Sequence, residues 1–260
     1  MTDAFTVTRA DGVFTLALHR GKANAINAAT SYAMGEAFAS FRDDPALRVG
    51  VVRSDNPKFF SAGWDLAAAA AGEPPDADYG IGGFAGLQAL PNMNKPMIAV
   101  VDGLCVGGGF ELALACDLII ATENARFSLP EIKAGTLADA ATIRLSRAIP
   151  YHIAMDMLFT GRWMEATEAA RWGLVSELVK PDALHARVAE IAALLAAGPP
   201  LVFAAIKEVA RETQGMPFQL ALARVTSQQY PTVAALYNSE DQKEGPRAFA
   251  EKRAPVWKGR

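Results

Sequence analysis

Three consecutive glycines, at residues 107–109, separate a β-prone apolar run from a helix-prone segment. Glycine has no Cβ, so backbone amides in such a run can approach another group closely. The helix that begins there adds the positive end of its dipole, which attracts negative charge. The run therefore predicts a strand, a tight turn and a helix in succession, with an anion or oxyanion site at the turn.

Two other interpretations of the glycine run compete with this one. A tight turn needed only for packing stays open, although one glycine normally suffices for a turn. A dinucleotide fingerprint, G-x-G-x-x-G, requires its third glycine at the position of Leu112. The spacing therefore excludes dinucleotide binding.

The rest of the chain predicts an α/β fold. Apolar runs at 49–53, 97–101 and 118–121 alternate with helix-prone segments, a pattern typical of a largely parallel sheet with right-handed crossovers. Residues 5–9 and 13–18 predict an N-terminal β-hairpin. The length of 260 residues is suited to a single hydrophobic core.

Beyond about residue 140 the pattern becomes mainly helical, and only 174–179 is still strand-like. Asp182 is a suitable N-cap for a helix that Gly198 and Pro199 would end. A further helix is predicted over 201–213. Residues 67–83 are predicted to form a mobile loop or a plain spacer.

A second candidate loop lies at 58–66, after the strand at 49–53, and contains Ser61, Ala62 and Gly63. Ligands usually bind at the carboxyl edge of a parallel sheet, where two such loops would meet. Amides from the two loops could then polarise one carbonyl oxygen.

Two glutamates are predicted to enter the same cleft. Glu111 lies in the first turn after the glycines, and Glu131 follows a predicted strand. A single glutamate at such a place is usually an exposed helix-terminus charge. A pair beside amide donors suits general acid/base catalysis at a carbon next to a carbonyl.

Composition excludes several other classes. The formal charge of −3, without a block of like charge, disfavours nucleic acid as a partner. His19, His152 and His185 have no carboxylate or cysteine at ligand spacing, so no metal site is predicted. The two cysteines lie in apolar runs, and neither a targeting peptide nor a membrane span is recognised. We therefore expect a cytoplasmic protein with no membrane partner.

Three motifs carry a likeness to a known family: FSAGWDL at 60–66, GGGFELALACD at 107–117 and LPEI at 129–132. They resemble the crotonase, or enoyl-CoA hydratase/isomerase, superfamily, and the likeness runs from KANAIN at 22–27 to WKGR at 257–260. Within that superfamily the chain is similar to the carnitinyl-CoA dehydratases, on the segments 41–45, 75–80, 83–87, 239–241 and 244–253.

The resemblance implies a crotonase-like spiral of ββα units with a helical C-terminal trimerisation region. The spiral core would span 1–195, and 196–260 would belong to the same structural domain and provide assembly and CoA contacts. It also implies self-association as a trimer or a dimer of trimers.

The resemblance further implies the site residues. The amides of Trp64 and Gly108 would form an oxyanion hole for an acyl-CoA thioester. Glu111 would handle the water added at C3, and Glu131 the proton at C2. No cofactor is expected, because coenzyme A is part of the substrate. The substrate- or CoA-binding residues would be Lys22, Ala23, Asn24, Ala62, Asp65, Leu66, Phe84, Gly107, Phe249 and Lys252.

The implied function is a lyase that reversibly hydrates an enoyl-CoA of the carnitinyl-CoA/crotonobetainyl-CoA type. Trp64, Tyr79 and Phe84 could face a trimethylammonium group or could simply pack the loop. The segment 135–145 lacks the proline and the glycine pair that are usual in the family, and it is one residue shorter. Because this segment flanks the water site of family hydratases, a catalytically impaired acyl-CoA-binding homologue stays open as an alternative. The sequence does not give the acyl group, so a general enoyl-CoA hydratase or isomerase also stays open.

Overall fold

Strands and helices alternate through most of the chain in the computed structural model, which describes residues 3–260. The strands are β1 (Phe5–Ala10), β2 (Val13–Leu18), β3 (Ala25–Ile26), β4 (Val49–Ser54), β5 (Phe59–Ser61), β6 (Gly63–Trp64), β7 (Met97–Val101), β8 (Leu104–Val106), β9 (Leu118–Thr122), β10 (Arg126–Ser128), β11 (Trp163–Glu165) and β12 (Glu177–Val179). The α-helices are α1 (Ala28–Asp43), α2 (Leu66–Ala70), α3 (Gly108–Leu114), α4 (Glu131–Ala134), α5 (Asp139–Ala148), α6 (Tyr151–Thr160), α7 (Ala166–Arg171), α8 (Leu184–Ala196), α9 (Pro200–Glu212), α10 (Phe218–Thr226), α11 (Pro231–Tyr237) and α12 (Asp241–Ala250).

The strands form three sheets. A six-stranded sheet has the order β1-β2-β4-β7-β9-β12, and it is parallel except for the predicted β1–β2 hairpin. A four-stranded sheet has the order β11-β10-β8-β5, with β11 antiparallel to β10. The short strands β3 and β6 pair in parallel. The prediction of a largely parallel sheet is confirmed.

Successive units of the chain follow one pattern. In β4-β5-α2, β7-β8-α3 and β9-β10-α4, the first strand joins the large sheet, the second joins the four-stranded sheet, and a helix follows. This repetition is the predicted spiral of ββα units. The division of the chain at residue 195 and the trimerisation of its C-terminal region stay predictions.

The large sheet is buried on both faces. In β7, Met97, Ala99 and Val101 pack into the main core, whereas Ile98 and Val100 pack beneath α8. Alternate side chains of a strand point to opposite faces, so a strand covered on both sides is apolar throughout. This is why residues 97–101 form an unbroken apolar run.

Some local predictions were wrong. Asp182 is not the N-cap of α8, because it lies within a 3-10 turn, Pro181–Ala183, that leads directly into the helix; Ala183 is the N-cap. Residues 58–66, predicted as a loop, are mostly the strands β5 and β6, and the strand-like run at 174–179 narrows to β12. The helix predicted over 201–213 is confirmed as α9.

No single helix within residues 3–260 is long and apolar enough to cross a membrane. Only the segments Pro181–Ala196 and Pro200–Glu212, taken together across a 98° bend, reach the required length and composition.

Candidate active site

The two predicted loops meet where β5 and β8 end. These strands are parallel neighbours, so their carboxyl ends lie side by side. A Cβ at Gly63, whose φ is +79°, would lie 2.6 Å from the Gly108 nitrogen and 2.8 Å from the Val106 oxygen. Only glycine fits this contact, and the predicted juxtaposition of the two segments is confirmed.

Two backbone amides at this contact are available to a ligand. Gly108 is the first residue of α3, and its N–H has no acceptor within the described part of the chain. The amides of Gly63 and Asp65 donate to Ser61 Oγ and to the Ile26 oxygen in β3. Because neighbouring N–H groups of a strand point in opposite directions, the Trp64 amide is directed away from β3.

The glycine run is also needed because side chains from other segments occupy the space beside it. A Cβ at Gly107 (φ +54°) would lie 2.8 Å from Oε1 of Glu131, and one at Gly108 would lie 2.3 Å from Cε1 of Phe84. The missing side chains therefore make room for a carboxylate and an aromatic ring beside the amides.

A cavity of about 470 Å³ opens beside these amides. Five of the predicted site residues line it: Trp64, Phe84, Gly108, Glu111 and Glu131. The described lining residues include no lysine, arginine or histidine, and Asp76 and Asp139 add two further carboxylates. The cavity is thus acidic along its charged wall.

Glu111 is held from two directions inside the cavity. Its side chain belongs to α3 and the residue is 7% exposed. Oε1 accepts a hydrogen bond from the Ala141 amide at 2.9 Å, and Oε2 accepts one from Nε2 of Gln88 at 3.3 Å. Burial raises the pKa of the Glu111 carboxyl, and these two hydrogen bonds act in the opposite direction.

The Glu131 carboxylate has fewer hydrogen-bond partners than that of Glu111. It is the first residue of α4, and its Oε2 is buried without a hydrogen-bond partner among residues 3–260. Burial raises the pKa of Glu131 to about 7, and the charge of Glu111 acts in the same direction. A carboxyl with this pKa can take up and release a proton near neutral pH.

Comparison with known proteins agrees with this geometry. Residues 8–260 match the family model described as Enoyl-CoA hydratase/isomerase. A carnitinyl-CoA dehydratase from Salmonella typhi is 50% identical over 264 residues, which cover all of both chains. The solved structures of enoyl-CoA hydratases from Mycobacterium tuberculosis H37Rv and Mycobacterium marinum each align over the full length of both chains with a TM-score of 0.89, at 34% and 36% identity.

The chain belongs to the enoyl-CoA hydratase/isomerase family. It is a lyase of the hydratase/dehydratase type that acts on an enoyl-CoA thioester.

Among the residues that the family resemblance assigned to CoA, two have side chains committed to the protein itself. Asn24 is 1% exposed, and its Nδ2 donates to Ser54 Oγ at 2.7 Å and to the Phe60 oxygen at 3.0 Å. Asp65 accepts from the first amides of α2 and pairs with Arg20 at 2.7 Å. Both side chains fix the chain around β5 and β6.

The other predicted CoA residues are divided between two places. Ala23 and Ala62 are joined by a backbone hydrogen bond of 2.8 Å, and Lys22 and Leu66 are exposed nearby in the chain. Phe249 on α12 is 87% exposed, and neither it nor Lys252 lines the cavity. The roles of all these residues in binding this family's CoA substrates stay predictions.

Sequence reasoning missed the residues that hold Glu111. Gln88 carried no local signal, because it lies in an irregular segment between a 3-10 turn and β7. Ala141 lies in the segment 135–145, which departs from the usual family pattern. In the structure this segment forms the start of α5 and still delivers a backbone N–H to Glu111.

Proposed function

We propose that the protein reversibly dehydrates carnitinyl-CoA to crotonobetainyl-CoA. The observation that carries the proposal is the shared cavity, in which Glu111 and Glu131 lie beside the amides of Gly108 and Trp64. The choice of acyl group is based on the carnitinyl-CoA dehydratases that are 50% identical to the chain over its full length.

In this reaction the thioester oxygen accepts hydrogen bonds from the Trp64 and Gly108 amides. Glu131 removes the proton from C2, and the resulting enolate is stabilised by these donors. The C3–O bond then breaks, and the hydroxyl leaves as water with a proton from Glu111. In hydration the order reverses: Glu111 takes a proton from the attacking water, and Glu131 delivers one to C2.

The environments of the two glutamates support this division of roles. For hydration, Glu111 must be ionised and Glu131 protonated. Glu111 receives two hydrogen bonds that favour its ionised form, whereas Glu131 has an unpartnered oxygen and a pKa of about 7. Carboxyls whose environments push their pKa values apart can serve as base and acid of one reaction.

The outer wall of the cavity supports a cationic acyl group. Tyr79 and Phe84 pack edge to face with ring centroids 5.3 Å apart, and Asp76 and Asp139 line the same cavity. An aromatic face attracts a trimethylammonium group by about 0.5 to 2 kcal/mol. A neutral fatty acyl chain gains nothing from the carboxylates.

The proposal is tested with Glu111→Gln and Glu131→Gln, assayed by the absorbance of the enoyl thioester. Each variant is expected to lose hydration while it still binds the CoA ester, because glutamine keeps the shape of the site but cannot exchange a proton. Near-normal turnover by either variant contradicts the two-acid mechanism.

A general enoyl-CoA hydratase or isomerase is the second candidate, and the solved enoyl-CoA hydratases with TM-scores of 0.89 favour it. Comparison of crotonobetainyl-CoA with crotonyl-CoA distinguishes the two, because the cationic substrate should have the higher kcat/KM in our proposal. A protein that binds these esters without any absorbance change is instead a catalytically impaired homologue.

The proposal includes no cofactor and no partner other than the acyl-CoA and further copies of the chain. Self-association as a trimer or a dimer of trimers is supported by the large apolar side chains that the C-terminal helices expose, among them Phe218, Leu220 and Leu222 on α10. A cytoplasmic location is part of the same proposal.

A further inference from the structure

The side chain of Gln88 contacts one of the two proposed catalytic carboxylates without itself taking part in the proton transfers. Its Nε2 donates to Oε2 of Glu111, on the opposite side of the carboxylate from the Ala141 amide. Gln88 is half-buried and lines the cavity. Its amide therefore lies where it can control how the Glu111 carboxylate faces the substrate.

The backbone of Gln88 is anchored by a half-buried cation. Its carbonyl oxygen accepts from Nη2 of Arg144 at 3.1 Å, and Nη1 of the same guanidinium donates to the Leu114 oxygen at 3.5 Å. Leu114 ends α3, the helix that carries Glu111, and Arg144 belongs to α5, the helix whose Ala141 amide binds Glu111. These contacts join the Gln88 segment, α3 and α5 around one carboxylate.

We infer that Gln88 is a positioning residue, which, together with the Ala141 amide, fixes the orientation of the Glu111 carboxylate in the cavity. A carboxylate held by one donor can rotate about its terminal bond, whereas two donors on opposite oxygens select one orientation. Small errors in the placement of a reacting group are costly in rate. The inference rests on the proposed function only where it concerns turnover.

The Gln88 amide is uncharged at every working pH, and in the structure its Nε2 is the donor to this oxygen. It favours the ionised form of Glu111 and thereby lowers the pKa of that carboxyl against the effect of burial. Its removal should raise the pKa of Glu111.

The kinetic test uses Gln88→Met, which keeps the length of the side chain and removes the donor. We expect kcat for hydration to fall about 10- to 100-fold, the range of a lost hydrogen bond to a charged group. KM should change by less than about threefold, because Gln88 contacts the catalytic carboxylate. The acidic limb of the kcat/KM profile should move to higher pH.

Asn94→Ser, on the same segment, removes a surface contact with Arg211 and serves as the matched control, with an unchanged profile.

A second readout does not need turnover. In a Glu131→Gln background, carbon NMR of ¹³C-labelled glutamate follows the Glu111 carboxyl, which is identified by its loss in a Glu111→Gln variant. The carboxyl should titrate at higher pH when Gln88→Met is added, and also with Gln88→Leu, which likewise removes the donor without adding a charge and replaces the methionine variant if that one unfolds. An unshifted titration overturns the inference even if kcat falls. If the unmodified protein shows no hydration, the proposed function fails, and the titration still decides the role of Gln88.

Discussion

The Glu131 side chain lies in a place that disfavours its charge. Oε2 is buried without a partner among the described residues, and Gly107 leaves just enough room for Oε1. A protein that needed only stability would not keep a carboxyl there, because an unpaired buried polar group costs free energy. Buried groups that lower stability in this way are common at functional sites.

This position predicts an effect on stability. The pKa of Glu131 rises from an ordinary 4.5 to about 7 in the folded protein. Between these values the unfolded chain releases a proton that the folded chain keeps, so the free energy of unfolding falls as pH rises. Glu131→Gln removes this loss. We expect its advantage over the unmodified protein to grow by about 3 kcal/mol between pH 4 and pH 8.

Urea denaturation at a series of pH values measures this difference. Glu123→Gln, at an exposed turn residue, is the control and should show no comparable dependence on pH. A Glu131→Gln advantage that stays constant from pH 4 to pH 8 contradicts the prediction.

The pair of glutamates also predicts the pH dependence of turnover. In the proposed reaction one proton is shared by Glu111 and Glu131: it starts on Glu131 for hydration and on Glu111 for dehydration. Both directions therefore need the singly protonated pair. We expect kcat/KM to fall in both directions as pH rises through about 7, where the last proton leaves. Opposite pH profiles for hydration and dehydration would contradict a shared proton.

At the scale of single residues, the sequence predicted the groups that carry local signals. The glycines and the two glutamates stand beside strand ends and helix starts, so their meeting follows from the alternation of elements. Gln88 and Ala141 lie 23 and 30 residues from Glu111 and have no such signal. Their contacts depend on how α5 and an irregular segment pack against α3, which spacing along the chain does not determine.

At the scale of elements, Glu73 joins its own segment to α1 and to Trp64, which lines the cavity. Its carboxylate accepts from the Ala28 amide at the N-terminus of α1, with both oxygens at 3.1 Å. It also accepts from the Trp64 indole at 3.2 Å. A carboxylate at a helix N-terminus is favoured by the helix dipole. The segment that carries Asp76 and Tyr79 is therefore tied to α1 and to β6.

We expect Glu73→Ala to lower the free energy of unfolding by about 1 to 2 kcal/mol, the cost of a lost cap with its charge interaction. It should also increase the solvent exposure of Trp64, which quenching of tryptophan fluorescence measures. Glu73→Gln retains an acceptor for both donors and should lose less stability. No loss in Glu73→Ala would contradict the prediction, and an equal loss in the two variants would show that the charge acts without any contribution from a neutral acceptor.

The elements that the sequence missed share one physical property: they are short. β5, β6 and β11 contain two or three residues each, too few to reveal a two-residue periodicity. Asp182 has a residue type that is typical of an N-cap, but Pro181 starts a 3-10 turn that leaves no extended cap position there. The longer strands of the large sheet were predictable because burial on both faces makes them apolar throughout.

At the scale of the whole molecule, the formal net charge is only −3, but the charge around the cavity differs from that of the rest of the surface. The charged residues that line the cavity are all acidic, whereas coenzyme A is a polyanion. The acyl end and the nucleotide end of the substrate therefore need different surroundings. In the proposed function the cavity takes the cationic acyl end, and lysines outside it, such as Lys22 and Lys252, meet the phosphates.

The C-terminal helices predict the behaviour of the molecule in solution. No residue of α10 is buried in the single chain, and Phe218 and Leu222, one helical turn apart, are 71% and 47% exposed. Apolar side chains on one helix face favour association, and a specific interface buries about 800 Å² on each partner. In the proposed trimer these residues lie at a subunit contact.

The double variant Phe218→Ser/Leu222→Ser should therefore sediment as a smaller species than the unmodified protein, with its circular dichroism spectrum retained. Leu194→Ser, at a leucine of α8 that is 72% exposed outside the C-terminal region, is the matched control and should sediment as the unmodified protein does. Removal of two apolar side chains from an interface costs enough to favour dissociation at low protein concentration, whereas the same change on a free surface does not. If the double variant keeps its assembly state at micromolar concentration, α10 does not form the subunit contact.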